Sequence, residues 1–217
     1  MLQAVFFDLD GTLANTDPIH LEIWREILEP YGYVVDEAFF QRHISGQLNE
    51  HLIQELLPQL STGEGQELAL QKEAQFRELA ASKLRRMPGF NECFDWITDR
   101  GLSTAVVTNA PRANAELVLQ VLHLETAFDL LIVAGELPHS KPDPLPYQTA
   151  LHHFNLSPAA AIVFEDSKTG IQAAVSAEIP TIGVASTHEP EILYSYGASL
   201  VIQDFMDSRL QKFGLLV

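Results

Sequence analysis

Six short runs of apolar and β-branched residues recur along the chain and constrain its fold more than any other feature. The runs are AVFFDL at 4–9, STAVVTN at 103–109, FDLLIVA at 128–134, AAIVFED at 160–166, PTIGVAS at 180–186 and SLVIQD at 199–204. Each is continuously apolar rather than alternating, which is typical of parallel strands covered on both faces. Amphipathic stretches such as 88–101 and 111–124 lie between them. This alternation predicts an α/β fold with a Rossmann-like, doubly wound parallel sheet.

One long segment interrupts the alternation, because no comparable strand-like run lies between residues 10 and 102. It contains four helical patterns: DPIHLEIWREILEPYG, EAFFQRHI, NEHLIQELLPQL and GEGQELALQKEAQFRELAASKLRR. We predict an all-helical cap domain at 17–84, inserted into an α/β core domain made of 1–16 and 85–217. The cap is expected to cover the carboxyl ends of the strands, where open α/β sheets bind ligands. The charge pattern of 63–76 indicates a solvated helix face.

The charge balance and the single cysteine exclude several classes of protein. The formal net charge is −16, with 29 acidic residues against 13 Lys and Arg, which disfavours nucleic acid and anionic membrane as partners. Cys93 allows no internal disulfide, and its apolar surroundings predict a buried core residue. No signal-like segment opens the chain, and the apolar runs are too short to span a bilayer. We therefore expect a cytoplasmic protein, monomeric or weakly dimeric.

Polar side chains follow four of the predicted strands, at or just beyond the point where each strand ends. They are Asp8, Asp10 and Thr12, then Thr108 and Asn109, then Lys141, and finally Glu165 and Asp166. Because parallel strands end at one edge of a sheet, we expect these groups to converge. Asp8 and Asp10 lie so close together that their charges repel, and a cation must offset that repulsion.

This set of groups predicts a phosphoryl-transfer site. Asp8 and Asp166 offer the hard carboxylate oxygens that Mg²⁺ prefers. Asp8 can attack phosphorus and form an aspartyl-phosphate, while Asp10 protonates the leaving oxygen and then deprotonates water. Lys141 supplies local positive charge for the phosphate. Hydrogen bonds to the phosphate or the substrate are expected from Thr12, Thr108 and Asn109.

The same motifs resemble the four-motif pattern of the haloacid dehalogenase superfamily, over essentially the whole chain. DLDGT, the Thr after the second strand, the Lys of SKPDP and the ED pair carry the resemblance. It implies Mg²⁺ dependence, with Asp8 as nucleophile and Asp10 as acid and base. It also implies a metal held by Asp8, the Asp10 carbonyl and Asp166, with Glu165 either a ligand or an orienting residue. The dehalogenases that name the superfamily lack the second acid, so Asp10 favours a phosphate substrate.

Two activities remain open within the capped group that the chain resembles, which holds phosphoglycolate phosphatases, sugar-phosphate phosphatases and β-phosphoglucomutase. His20, a further candidate for contact with the substrate, lies where the mutase-like proteins carry a hinge histidine. The mutases also carry a Lys-Gly signature in the cap, whereas Ser45 precedes Gly46 here, and 47–71 has no Lys or Arg. The basic side chains left nearby for a second phosphate are Arg42, His43 and His51. We therefore favour hydrolysis of a small phosphorylated metabolite, a sugar phosphate or a phosphoglycolate-like ester, over phosphohexose isomerisation.

Two further classes of protein share parts of this pattern. A phospho-accepting signalling module of the receiver type also gathers acids, a Thr and a Lys at strand ends. It would lack the helical insert, however, and would not need Asp10. A binding module with a degenerate site is disfavoured because all four motifs are intact.

Overall fold

Six parallel strands form one sheet in the computed structural model, which describes residues 1–213 of the 217-residue chain. The strands are β1 (Ala4–Phe7), β2 (Ser103–Thr108), β3 (Leu130–Val133), β4 (Ala161–Glu165), β5 (Thr181–Val184) and β6 (Leu200–Ile202). Their order in the sheet is β3-β2-β1-β4-β5-β6, with the first strand of the chain at the centre. All six predicted strands are confirmed, each one to three residues shorter than its apolar run.

Both faces of the sheet are covered by apolar side chains. Along β1, Val5 and Phe7 belong to one buried apolar cluster and Ala4 and Phe6 to another. Successive side chains of a strand point to opposite faces, so the two clusters lie on the two sides of the sheet. This explains why the strand sequences are continuously apolar rather than alternating.

Helices occupy the connections between the strands. They are α1 (Asp17–Leu28), α2 (Glu37–Phe39), α3 (Asn49–Leu56), α4 (Thr62–Lys83), α5 (Phe90–Asp99), α6 (Arg112–Val121), α7 (Leu145–Phe154), α8 (Lys168–Ser176) and α9 (Pro190–Ser195). The other helical elements are short 3-10 turns and one π-helical turn directly after α2. The predicted α/β class is confirmed, with a doubly wound parallel sheet between two layers of helices.

The segment between β1 and α5 contains α1 to α4, and we call residues 17–84 the cap segment. Trp24 and Leu28 of α1 and Leu52 and Leu56 of α3 belong to an apolar cluster separate from those on the sheet. The long helix α4 begins one residue before the predicted start, because Ser61 and Glu64 form a reciprocal capping box. The division into a core domain of 1–16 and 85–217 and a cap domain of 17–84 stays a prediction.

The cap segment is also attached to the sheet layer by apolar side chains. Ile19 and Ile23 of α1 and Phe76 and Ala80 of α4 are buried in the cluster that contains Phe7.

In residues 1–213 no helix is both long enough and apolar enough to cross a membrane.

We expect Phe7→Ala to lower the free energy of unfolding by about 3–5 kcal/mol, the usual cost of truncating a buried aromatic side chain. The Phe7 ring is fully buried and stacks on Phe164 with 5.2 Å between ring centroids. Urea unfolding followed by circular dichroism measures the loss. Val34→Ala is the control, because Val34 is exposed and its truncation should change stability by less than about 0.5 kcal/mol. Equal effects of the two substitutions would contradict the assigned core.

Candidate active site

The carboxyl ends of β1, β2 and β4 and the loop after β3 open into one cavity of about 840 Å³. The cap segment closes the other side of this cavity. Of the residues singled out from sequence, those that line it are Asp8, Asp10, His20, Thr108, Asn109, Lys141 and Asp166. Thr12 and Glu165 lie outside this lining and contact the lining residues from behind. The expected convergence of the strand ends is therefore found.

Lys141 is the central cation of the site and is 4% exposed. Its Nζ atom donates to Asp8 Oδ1 at 2.7 Å, to Glu165 Oε1 at 2.6 Å and to the Val107 carbonyl at 2.6 Å. All three ammonium donors thus have acceptors. Burial by itself would lower the pKa of Lys141, but the charges of Asp8 and Glu165 outweigh burial and the pKa is raised.

The carboxyl groups around Lys141 carry more negative charge than one lysine balances. Burial raises the pKa of Asp8 well above its ordinary value, and the nearby Glu165 charge raises it further, while Lys141 opposes the shift. Burial likewise raises the pKa of Asp166, with added repulsion from Asp8 and then Glu165. Burial is also the main cause of the raised pKa of Asp10. The site therefore favours a bound cation or bound protons.

Three carboxyl groups are close enough to share one metal ion. Asp8, Glu165 and Asp166 each place an oxygen within 4.8 Å of the other two. Glu165 is already engaged, because Oε1 accepts from Lys141 and from the Tyr147 hydroxyl at 3.0 Å. Its Oε2 accepts from the backbone N–H and the hydroxyl of Ser167, both at 3.1 Å. Asp8 and Asp166 keep more free lone pairs, so this donor set fits a hard divalent cation held mainly by those two residues.

The backbone at Gly11 allows Asp166 to approach the DLDGT turn. Gly11 has φ +79°, and a Cβ atom there would lie 2.1 Å from Asp166 Oδ2. The Thr12 hydroxyl, fully buried, is 3.5 Å from Asp166 Oδ1. The Thr187 hydroxyl lies 3.2 Å from Asp166 Oδ2 and also contacts the Asp17 carboxyl, so the two acids share its single proton. These contacts orient the Asp166 carboxylate, and they put Thr12 behind it rather than on the cavity surface where substrate contact was expected.

Thr108 and Asn109 end β2 beside Lys141. Thr108 Oγ1 accepts a hydrogen bond from the Ala110 N–H at 2.9 Å, which leaves the hydroxyl proton available to a ligand. The Asn109 side chain exchanges two hydrogen bonds of 3.2 Å with the backbone N–H and carbonyl of Lys141. Asn109 therefore holds the Lys141 backbone in place as well as lining the cavity.

Asp10 and His20 face each other across the junction of the core and the cap segment. His20 Nε2 is 4.0 Å from Asp10 Oδ1, and the imidazole stacks on the Phe76 ring with 4.4 Å between centroids. Burial lowers the pKa of His20 well below its ordinary value, and the charge of Lys72 lowers it further. The imidazole is therefore neutral near pH 7. Its Nδ1 has no hydrogen-bond partner among the residues described.

The sequence-based interpretation of 63–76 as a solvated helix face is wrong for two residues. Lys72 and Glu73 are 4% and 8% exposed and line the cavity. Lys72 Nζ donates to Glu73 Oε1 at 2.8 Å. A signal for this burial was present, because Lys72 lies one helical turn before Phe76, on the face that α4 packs inward.

The cap also offers a different basic group from those expected. Arg42, His43 and His51 are absent from the described lining of the cavity. The basic residues of the cap segment that line it are Lys72 and His20, and the His20 imidazole is neutral near pH 7. Lys72 comes directly after 47–71, the stretch that contains no Lys or Arg.

Comparison with known proteins agrees with the geometry of the site. A model of the family described as haloacid dehalogenase-like hydrolase matches residues 5–184. The chain belongs to the haloacid dehalogenase-like hydrolases. The predicted superfamily and the predicted class of enzyme, a phosphoric monoester hydrolase of this family, are confirmed.

Relatives of this haloacid dehalogenase-like hydrolase are named for different activities. It is 32% identical over 209 residues to a phosphorylated carbohydrates phosphatase of Thermotoga maritima, covering 93% of this chain and 94% of the relative. It is 27% identical over 219 residues to the β-phosphoglucomutase of Bacillus subtilis, covering 97% and 93%. A solved structure from Entamoeba histolytica, a HAD hydrolase of family IA, variant 3, has a TM-score of 0.86 at 29% identity and covers 99% of both chains.

We expect Asp166→Asn to stabilise the metal-free hydrolase. A carboxyl whose pKa is raised by folding binds more protons in the folded than in the unfolded state, so its contribution to stability falls as pH rises. The neutral amide removes that penalty, and the gain should be about 0.5–2 kcal/mol near pH 7. The gain should shrink as pH falls towards about 4, where the unfolded carboxyl is also protonated.

Urea unfolding in a chelator, repeated across this pH range, measures the effect. Asp95→Asn is the matched control, because Asp95 is exposed. An Asp166→Asn protein that is less stable than the parent at neutral pH would refute the picture of uncompensated buried charge.

Proposed function

We propose that this hydrolase is a Mg²⁺-dependent phosphatase that hydrolyses a small phosphate monoester, a sugar phosphate, through an aspartyl-phosphate. The observation that carries the proposal is the position of Asp8 at the cavity surface, with Lys141 on Oδ1 at 2.7 Å and Asp166 close enough to share a cation. A carboxylate so placed is a nucleophile whose repulsion of an incoming phosphate is offset by adjacent positive charge.

In the first half-reaction Asp8 attacks phosphorus, the bond from phosphorus to the ester oxygen breaks, and Asp10 gives its proton to the leaving oxygen. The raised pKa of Asp10, caused by burial, suits a carboxyl that must enter this step protonated. The free hydroxyl proton of Thr108 and the Lys141 ammonium are placed to stabilise charge on the phosphoryl oxygens.

In the second half-reaction Asp10, now a carboxylate, takes a proton from water. The water oxygen bonds to phosphorus, and the bond between phosphorus and Asp8 breaks, which regenerates the Asp8 carboxylate and releases inorganic phosphate. The neutral imidazole of His20 lies 4.0 Å from Asp10 Oδ1, beyond hydrogen-bonding distance, at the junction with the cap segment.

The metal would be held by the carboxylates of Asp8 and Asp166 and, as the family resemblance implies, by the backbone carbonyl of Asp10. When bound, Mg²⁺ supplies positive charge against the phosphoryl oxygens and the carboxylates. Glu165 would act through Lys141, which it holds, rather than as a direct ligand. Thr12 and Thr187 would orient the Asp166 carboxylate, because both hydroxyls contact it.

The cavity and the relatives support a sugar phosphate as substrate. A volume of about 840 Å³ accommodates a small phosphorylated metabolite. The relative from Thermotoga maritima is named a phosphorylated carbohydrates phosphatase. The alternative is a phosphohexomutase, which the similarity to a β-phosphoglucomutase favours.

The cytoplasmic location and the monomeric or weakly dimeric state remain predictions from sequence.

A panel of phosphate monoesters tests the proposal directly. Purified protein with Mg²⁺ is expected to release inorganic phosphate from hexose and pentose phosphates, and a chelator should stop the reaction. Chromatography of the sugar products separates the two activities: free sugar supports hydrolysis, whereas an isomerised hexose phosphate without phosphate release would establish the mutase.

Asp8→Asn should abolish turnover while leaving the fold intact, because the amide keeps the shape of the side chain but is not a nucleophile. Phosphate release measures activity, and circular dichroism checks the fold. Asp95→Asn serves as the control for loss of an exposed acid. Activity within tenfold of the parent, roughly 1.4 kcal/mol of barrier, would exclude Asp8 as the nucleophile.

Asp10→Asn should slow turnover by about 10²–10⁴-fold, the usual contribution of general acid–base catalysis. The defect should be smaller for esters of acidic alcohols such as p-nitrophenol, because their leaving oxygen needs no proton in the first half-reaction. Rapid-quench measurement of the aspartyl-phosphate follows each half-reaction. An equal loss with sugar and p-nitrophenyl esters in the first half-reaction would contradict the role of acid.

A further inference from the structure

Every lysine and arginine side chain in the described lining of the cavity is already paired with a carboxylate. Lys141 is held by Asp8 and Glu165. Arg112, at the rim, makes two hydrogen bonds of 2.6 Å to the carboxylate of Glu136. The third basic group is Lys72, whose partner is Glu73.

The pair of Lys72 and Glu73 belongs to the cap side of the cavity and is fixed from several directions. Glu73 Oε1 accepts from Lys72 at 2.8 Å and also from the Asn49 side chain of α3. Glu73 Oε2 accepts from the Asn114 side chain of α6. Lys72 Nζ lies 6.0 Å from the centre of the Trp24 ring, which confines it further. Glu73 therefore cannot turn away from Lys72 without leaving buried donors unpaired.

This arrangement determines which leaving groups the cap side can accept. Lys72 has three donors, and one of them is used by Glu73 among the residues described. The others can bind hydroxyl oxygens. A second phosphate or a carboxylate on the substrate would need an uncompensated positive charge beside it. On the cap side that charge would have to come from Lys72, and the fixed carboxylate of Glu73 neutralises it. Bringing another anion into this buried space is therefore penalised.

We propose that Glu73 is a specificity-determining residue that neutralises Lys72, so that the cavity selects monoesters with uncharged, hydroxyl-bearing leaving groups over bisphosphates and phosphorylated hydroxy acids. The inference rests on the proposed phosphatase function and narrows it: a sugar monophosphate is a substrate, whereas phosphoglycolate and a sugar bisphosphate are disfavoured. Glu73 acts through Lys72 and not on the reacting atoms.

Two substitutions of opposite charge test this role. Glu73→Gln keeps the shape of the side chain and frees the charge of Lys72, whereas Lys72→Gln leaves Glu73 unbalanced. The readout is the ratio of kcat/KM for glucose 1,6-bisphosphate to that for glucose 6-phosphate, and the same ratio for 2-phosphoglycolate. We expect Glu73→Gln to raise both ratios by about tenfold and Lys72→Gln to lower them. The reason is that a partly screened charge acts on the second anionic group of the substrate from a few ångströms away. The change in kcat/KM should lie mainly in KM.

The opposite directions of the two effects distinguish selection by charge, which we call the charge filter, from structural damage. A loss of packing would change the kcat/KM ratios in the same direction in both variants. Glu67→Gln is the matched control: it removes one charge from an exposed position of the same helix, outside the cavity lining, and should leave the ratios unchanged. Ratios that move together, or that stay at the parent value in both variants, would overturn the proposal. If Glu73→Gln does not fold, a raised ratio in Lys72→Gln alone overturns it, and a lowered one supports it.

Binding separates this inference from the proposed function. Calorimetric titration of Asp8→Asn, and of Asp8→Asn combined with each cap substitution, with the same three esters measures selectivity without turnover. If the parent hydrolyses none of the esters but the dissociation constants shift in the expected opposite directions, the phosphatase proposal fails and the charge filter stands. If esters are hydrolysed but neither kcat/KM nor binding responds to the two charges, the filter fails and the phosphatase stands.

Discussion

The buried ion cluster of Lys141 with Asp8 and Glu165 is the interaction on which the rest of the site depends. The three residues come from the loop after β3, the end of β1 and the end of β4, so the cluster forms only when the sheet is assembled in the observed order. Removing one member would leave a charge buried without its partner, which costs far more than an exposed ion pair is worth. The Tyr147 hydroxyl donates to Glu165, and the Asn109 side chain holds the Lys141 backbone in place.

A second constraint on the site is that its buried carboxyl groups carry more negative charge than Lys141 balances. The pKa values of Asp8, Asp10 and Asp166 are all raised, chiefly by burial, so the fold keeps carboxyl groups in an environment that disfavours their charged forms. Such groups lower the stability of the protein when no ligand is bound. The same groups are available to bind a cation or to react with a phosphate. The net charge of −16 therefore does not oppose an anionic substrate, because local charge at the strand ends decides binding.

The elements of the core could be predicted, since each depends on a local pattern. Continuous apolar runs identified β1 to β6, and the residues directly after them, such as Asp8 and Asp166, reached the cavity as expected. Roles that depend on side-chain contacts were harder to predict. Thr12 belongs to the turn directly after Asp10 yet lies behind Asp166, and Glu165 has both oxygens engaged by protein donors. A linear pattern cannot distinguish a residue on the cavity surface from one behind it.

The sequence by itself determined the fold class, the edge of the sheet where the polar side chains converge and the acids that we propose react, because strand periodicity and residue type are local properties. Only the tertiary structure decided what faces those acids from the cap. Lys72 and Glu73 look like solvent-exposed charges on a helix, and they are buried because Trp24, Asn49 and Asn114 surround them from elements distant in the chain. Their burial, and with it the charge of the cavity, arises from the packing of α4 against both the cap segment and the core.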